Sequence, residues 1–330
     1  MGNLGYFGTQ PTSRCRHSSH LLATCRYLAQ KNCIELGDCS SSFTGMIFLT
    51  CSSKLATLRK LLSHSFPESL KVYGALHYVI DKNPFRLQVL VDQWPDFTSV
   101  ICRPFLEEMK NPLDPYTNTY FVFSKDPQSL SHMLQDPQTV NWSQKFQIQG
   151  CQAALEEVIH TLLSKHGGHM MTVSNVLYMR DSKISSDEVE ALSNTSYKIG
   201  DLQFSPLNQD EAPLVNAQWL FGGNELSENY IRRCIQTFST LCARVPGMPK
   251  PIGWALSEQS AEIRMGYTES SYRSQRLFGN VGTRLMAIQQ SRGAPIYCHV
   301  SPDNKKSQSA CMAVGYVPVG RWQQWSFQPS

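Results

Sequence analysis

The sequence predicts an α/β (α+β) fold of two layered domains, on three observations. The chain has 330 residues, enough for about two domains of ordinary size, and its 41% hydrophobic and 17% charged residues are globular composition. Amphipathic stretches at helical spacing alternate with short apolar runs closed by proline or polar turns, the pattern of mixed central sheets flanked by helices. Near the C-terminus a hairpin leads into a helix and a further strand, at the spacing of a right-handed crossover between parallel strands.

The front end differs from the rest. Up to residue 34 there are four cations (Arg14, Arg16, Arg26, Lys31) and no acid. That composition resembles a mitochondrial transit peptide, which predicts a mitochondrial matrix location. The alternative is a leader without function, disordered and ahead of a start at Met46, which would leave the protein cytoplasmic. Cys15, His17, His20 and Cys25 lack the paired short spacings of a metal site, so no metal is expected. The eleven cysteines are odd in number and form no CxxC pair, which suits reduced thiols in an intracellular chain. A net charge of +4 is too small for a nucleic-acid binder, and no apolar run reaches the roughly 18–20 residues that span a bilayer.

Residues 46–195 read as a first domain. "SSKLATLRKLLSHSF" (52–66) places Leu55, Leu58, Leu61 and Leu62 on one helical face, with Pro67 to stop it. "LKVYGALHYVI" (70–80), "FRLQVLVDQW" (85–94), "TSVICRP" (98–104) and "NTYFVFSKDP" (118–127) read as strands. Helix returns at "CQAALEEVIHTLLSKHGG" (151–168), with Gly167 as its stop. The histidines of "HGGH" read as a solvated loop, and His77, His132 and His160 are scattered.

Residues 196–330 read as a second domain of strand, helix, helix, hairpin, helix, strand, helix and strand. "YKIGDLQFSPL" (197–207) is a strand, "QDEAPLVNAQWLF" (209–221) a short acidic-fronted helix, and "GGNELSENYIRRCIQTFSTLC" (222–242) a clean amphipathic helix. "KPIGWALSEQSAEIRMGYT" (250–268) is a hairpin around the polar turn "SEQS". The loop "SSYRSQRLFGNVG" (270–282) then opens the crossover helix that runs through "GTRLMAIQQSRG" (282–293) to the strand "APIYCHV" (294–300). Such a helix start presents free backbone N–H groups and the positive end of the helix dipole, which suits phosphate. Asp303 and Asn304 read as the cap of the following helix.

The strings "PESLKVYG", "NPF", "VLVDQWPDF", "YTNTY", "NWSQKFQIQG", "FGGNE", "YIRRCIQTF", "EIRMGYT" and "WQQW" resemble the glycine N-acyltransferase family, within the acyl-CoA N-acyltransferase (GNAT) superfamily. The likeness runs from residue 46 to 330. It implies two GNAT-like domains, with the acyl-CoA site in the second. It implies transfer of an acyl group from acyl-CoA, a co-substrate and not a permanent cofactor, to the amine of glycine or glutamine by a monomeric enzyme. It also implies a general base, Glu262, because the amino acid arrives as an ammonium ion and must lose a proton before its nitrogen attacks. Arg264, two residues on and on the same strand face, would hold the acceptor carboxylate. Met265, Gly266, Tyr267, Arg273, Ser274, Gln275, Arg276, Leu277, Phe278 and Asn304 would contact acyl-CoA.

Two positions depart from the pattern. The family's Tyr-Arg-x-x-Gly is met by Tyr272 and Arg273, but Arg276 stands where glycine is expected, and Phe278 stands at the superfamily's next small position. Glycine suits position 276 if the turn needs φ > 0 or if backbone N–H groups must approach pyrophosphate; an arginine there would place a guanidinium on a phosphate instead. Many superfamily members also carry a tyrosine seven or eight residues after the capping asparagine, where this chain has Cys311 and Met312. The thiolate of CoA leaves without an acid, and Cys311 reads as packed. These departures keep open an alternative: a weak or inactive relative that binds CoA or a protein partner.

Overall fold

The structure, a computed structural model, describes residues 46–193, 197 and 200–330. The leader with its Cys15, His17, His20 and Cys25 grouping, and the expected boundary between residues 195 and 196, lie outside the described residues.

The chain opens with β1 (Ile47–Phe48) and α1 (Ser52–Leu62), which buries Leu55, Leu58 and Leu62 but leaves Leu61 at the surface. A 3-10 turn over Ser63–Ser65 precedes α2 (Leu70–Asp81). That segment is helix where a strand was expected. Its apolar run is unbroken because the helix is buried on most sides: Leu70, Val72, Ala75 and Leu76 have no exposed surface, and neither does Lys71. Burial of each large side chain is worth about 1.5–3 kcal/mol, enough to override local strand preference. Gly74 brings this helix against the turn at 258–261, since a Cβ there would lie 1.8 Å from the Ser260 carbonyl oxygen.

The expected strands follow as β2 (Leu87–Val91), β3 (Ser99–Pro104) and β4 (Thr119–Ser124). Three elements that were not foreseen come among the next four. They are α3 (Pro127–Gln135), capped by Asp126 with Pro127 at its start, β5 (Phe146–Gly150), and β6 (Gly168–Met179), the fourth after α4 (Glu156–Lys165). Gly167 has φ 58°, as a helix stop should, but the "HGGH" segment is no loop beyond it: Gly168 and His169 already pair with β12 (Val317–Pro329). His166 stacks on Trp142, with ring centroids 3.6 Å apart.

After α5 (Ser186–Ser193) come β7 (Gln203–Ser205), a 3-10 turn over Gln209–Glu211, α6 (Ala212–Gln218) and α7 (Glu225–Thr237). Asn224 caps α7 through the Ser227 amide, and the "STLC" expected to extend the helix instead begins β8 (Thr240–Arg244). The foreseen hairpin is β9 (Gly253–Ser257) and β10 (Ile263–Thr268), followed by α8 (Leu277–Ser291), β11 (Tyr297–Val300), α9 (Lys305–Ala313) and β12. No helix among the described residues is long and apolar enough to cross a membrane.

Eight strands form one sheet in the order β1-β2-β3-β4-β5-β12-β6-β11, and four form another in the order β10-β9-β8-β7. The first sheet thus takes strands from both halves of the sequence, and the described residues pack as one compact unit. The expected parallel pairing across α8 does not occur. β10 stays in the four-stranded sheet while β11 pairs antiparallel with β6. The β9–β10 register shifts between Arg264 and Tyr267, where Met265 has φ 55°; a bulge of this kind adds local twist to the strand.

Candidate active site

Glu262 precedes β10 at the end of the hairpin turn and is completely buried. Its Oε2 lies 2.5 Å from Nζ of Lys71 on α2, and its Oε1 lies 2.5 Å from Nδ1 of His299 on β11. Lys71 also donates to the Ser260 hydroxyl at 3.0 Å and faces Glu258 at 3.3 Å, so one buried ammonium serves two carboxylates. Burial alone would raise the pKa of Glu262, but the Lys71 ammonium, and after it His299, hold its carboxyl well below the usual range. For His299 the balance runs the other way: burial pushes its imidazole down against the pull of Glu262. The His299 ring lies flat on Trp322 of β12, at 3.8 Å between centroids and 14° between planes.

Arg264 shares that indole. Its guanidinium lies 5.4 Å from the Trp322 ring centre and 5.6 Å from that of Trp219. Buried though it is, it makes no ion pair with any described residue, and its Nε has no hydrogen-bond partner. It lines a cavity of about 410 Å³ together with Tyr116, Trp219, Tyr230 and Gln324. Burial disfavours its charge, the nearby Glu262 and Glu258 carboxylates outweigh that and keep it a cation, and a ligand anion in the cavity would complete its hydrogen bonding. The cavity therefore suits a carboxylate flanked by aromatic walls.

The loop residues form a second group beside β10. Met265 is buried at the bulge, Gly266 faces outward and Tyr267 packs on Trp254. Gly266 lies so near α8 that an added Cβ would sit 3.0 Å from the Phe278 ring. Arg273 folds back through Nε to the Thr268 carbonyl at 2.9 Å. Ser274 and Arg276 both have positive φ, 62° and 60°, and Arg276 is the residue that caps α8, with no side chain satisfying the first amides. Gln275 precedes it, and Leu277 and Phe278 begin the helix, which contains Gly279 and Gly282. The backbone at 276 is thus in the conformation glycine adopts most readily, and it carries an exposed arginine. Asn304, without Asp303, caps α9 by accepting from the Ser307 amide at 3.1 Å.

Lys71, Glu258, His299 and Trp322 were not singled out from the sequence. A lysine inside the apolar run "LKVYG" was the available signal, because a buried ammonium demands carboxylate partners. Cys311 is buried, with its sulfur 3.9 Å from that of Cys298.

Known structures place the fold in a class. A Drosophila protein solved by X-ray matches with a TM-score of 0.64 at 13% identity, over 86% of this chain and 98% of its own. A tandem GNAT protein from the clavulanic acid biosynthesis pathway matches at 0.50 and 12% identity, over 87% of this chain and 99% of its own. The fold is that of the GNAT superfamily. More specifically, the aralkyl acyl-CoA:amino acid N-acyltransferase family matches residues 46–239, and its C-terminal region residues 246–329; the chain belongs to this family. Bovine glycine N-acyltransferase is 37% identical over 295 residues, covering 86% of this chain and 100% of the relative. Human glycine N-acyltransferase-like protein 2 is 38% identical over 292 residues, covering 86% and 99%.

Proposed function

We propose that this protein transfers an acyl group from acyl-CoA to the amine of an amino acid, glycine or glutamine, by direct attack of nitrogen on the thioester carbonyl. Family membership supports the reaction class. The observation that carries the acceptor is Arg264, a buried guanidinium without a carboxylate partner, aimed into an aromatic-walled cavity beside the Glu262 cluster. An amino acid held there by its carboxylate keeps its ammonium close to a basic centre, Glu262 with the groups bonded to it. Positioning then supplies much of the rate, and no covalent enzyme intermediate is needed.

Acyl-CoA lies along β10 from Met265 and meets α8 with its phosphates, in this reading. The uncapped first amides of α8, and the exposed Arg273 and Arg276, support that placement. Asn304 stands at the start of α9. The basic, acid-free segment 1–34 supports a mitochondrial matrix setting.

The test is release of free thiol from benzoyl-, phenylacetyl- and medium-chain acyl-CoA in the presence of glycine or glutamine. Amino-acid-dependent release is expected with at least one pair. Absence of release with every pair overturns the reading in favour of a CoA-binding relative without turnover.

A further inference from the structure

Both oxygens of Glu262 are occupied, Oε1 by His299 and Oε2 by Lys71, and no part of the side chain is exposed. Each oxygen keeps a further lone pair, but with no exposed surface the carboxylate is reached by an incoming ammonium only if a neighbour moves aside. His299 is placed differently. An ionised carboxylate only accepts hydrogen bonds, so the 2.5 Å contact to Oε1 requires the proton of the imidazole to sit on Nδ1. That leaves the lone pair on Nε2, which bonds to no described residue. The ring retains 10% exposure, whereas Glu262 and Lys71 retain none. The stack on Trp322 fixes the plane of the ring, and the same indole carries Arg264.

We infer that His299 Nε2 is the atom that takes the proton from the acceptor amine, and that Glu262 is the positioning residue that holds Nδ1–H and offsets the charge of the imidazolium. This rests on the acyl-transfer reading above. The ammonium gives its first proton to Nε2, which passes it to solvent. The free amine then forms the C–N bond to the thioester carbonyl carbon and loses its second proton to Nε2. The C–S bond breaks with its electron pair on sulfur, and the CoA thiolate takes up a proton from solvent. Burial and the nearby Lys71 and Arg264 cations keep the resting imidazole neutral, as a base must be.

The discriminating variant is His299→Asn. Its amide donates to Glu262 from about the place of Nδ1 but has no atom at Nε2. A structural role for His299 predicts near-normal activity in this variant. The proposal predicts a kcat lower by about 10²–10⁴-fold with the KM for acyl-CoA within about twofold of wild type. An independent measurement is the ¹⁵N spectrum of histidine-labelled wild type at pH 7. It should show Nδ1 protonated and Nε2 bare; a charged ring or the opposite tautomer overturns the assignment. Wild-type turnover together with a His299→Asn kcat within threefold overturns it alone. Absence of any wild-type turnover overturns both it and the acyl-transfer reading.

Discussion

Glu262 and Lys71 meet at 2.5 Å with neither side chain exposed, although 191 positions separate them in the sequence. Lys71 comes from the second helix and Glu262 from the hairpin turn, so one contact ties the two halves of the chain together at the candidate site. Lys71→Met should therefore lower stability by about 3–5 kcal/mol, because it leaves Glu258 and Glu262 buried without their cation. Denaturant midpoints measure this. Adding Glu262→Gln should restore part of the loss, and strict additivity of the two changes would show that the pair is not coupled.

Arg264 should control the acceptor and not the acyl donor. Arg264→Gln removes the charged half of a charge-assisted bond, worth about 1.5–3 kcal/mol, so the KM for the amino acid should rise roughly tenfold to a hundredfold. The KM for acyl-CoA should stay within about twofold. Equal effects on both substrates would move the acceptor carboxylate elsewhere.

At Arg276 two effects separate. The left-handed backbone costs a residue with a Cβ about 1 kcal/mol, so Arg276→Gly should leave the fold as stable or slightly more stable. The same change removes an exposed cation at the start of α8, so acyl-CoA should bind about two- to fivefold more weakly and with a smaller salt dependence. Tighter binding in titration calorimetry would mark the arginine as an obstruction.

His77 gives the molecule a pH slope. Burial, and after it the Arg59 guanidinium, push its imidazole down from 6.5 to about 4. Between those values the unfolded chain binds the proton and the folded one does not, so this group's contribution to stability falls as pH drops from about 6.5 towards 4. Glu262 works in the same direction at lower pH, since its depressed carboxyl stabilises the fold above the ordinary carboxylate range and loses that effect as pH falls below it. Thermal melts of His77→Gln should therefore vary less with pH between 6.5 and 4 than those of wild type.

The legible parts of the fold were helices with one wet face and short buried strands closed by proline or polar turns. α1 and α7 show their apolar stripe because the opposite side meets water, and β9 and β10 flank a polar turn. α2 misled because it is wrapped on most sides, so Val72, Gly74, Ala75 and Leu76 carry no periodic polar partner. β8 was hidden in the tail of α7 because "STLC" continues an apolar rhythm for less than one more turn. At the site, Glu262 was found by family resemblance and Arg264 by its place two residues on along the same strand face, whereas His299 and Trp322 were not found. Their roles depend on β11 and β12 lying beside the hairpin turn, a relation that no local pattern encodes.

The last strand of the chain is not at an edge. β12 lies between β5 and β6, pairing with both, and it brings Trp322 beneath His299. During synthesis, then, β5 and β6 leave the ribosome long before the strand that joins them. Until residues 317–329 emerge, both present unpaired backbone edges, the kind of surface that aggregates or recruits chaperones. A message truncated near its end would yield no partly working enzyme but a sheet open through its middle, in which the indole shared by His299 and Arg264 is missing.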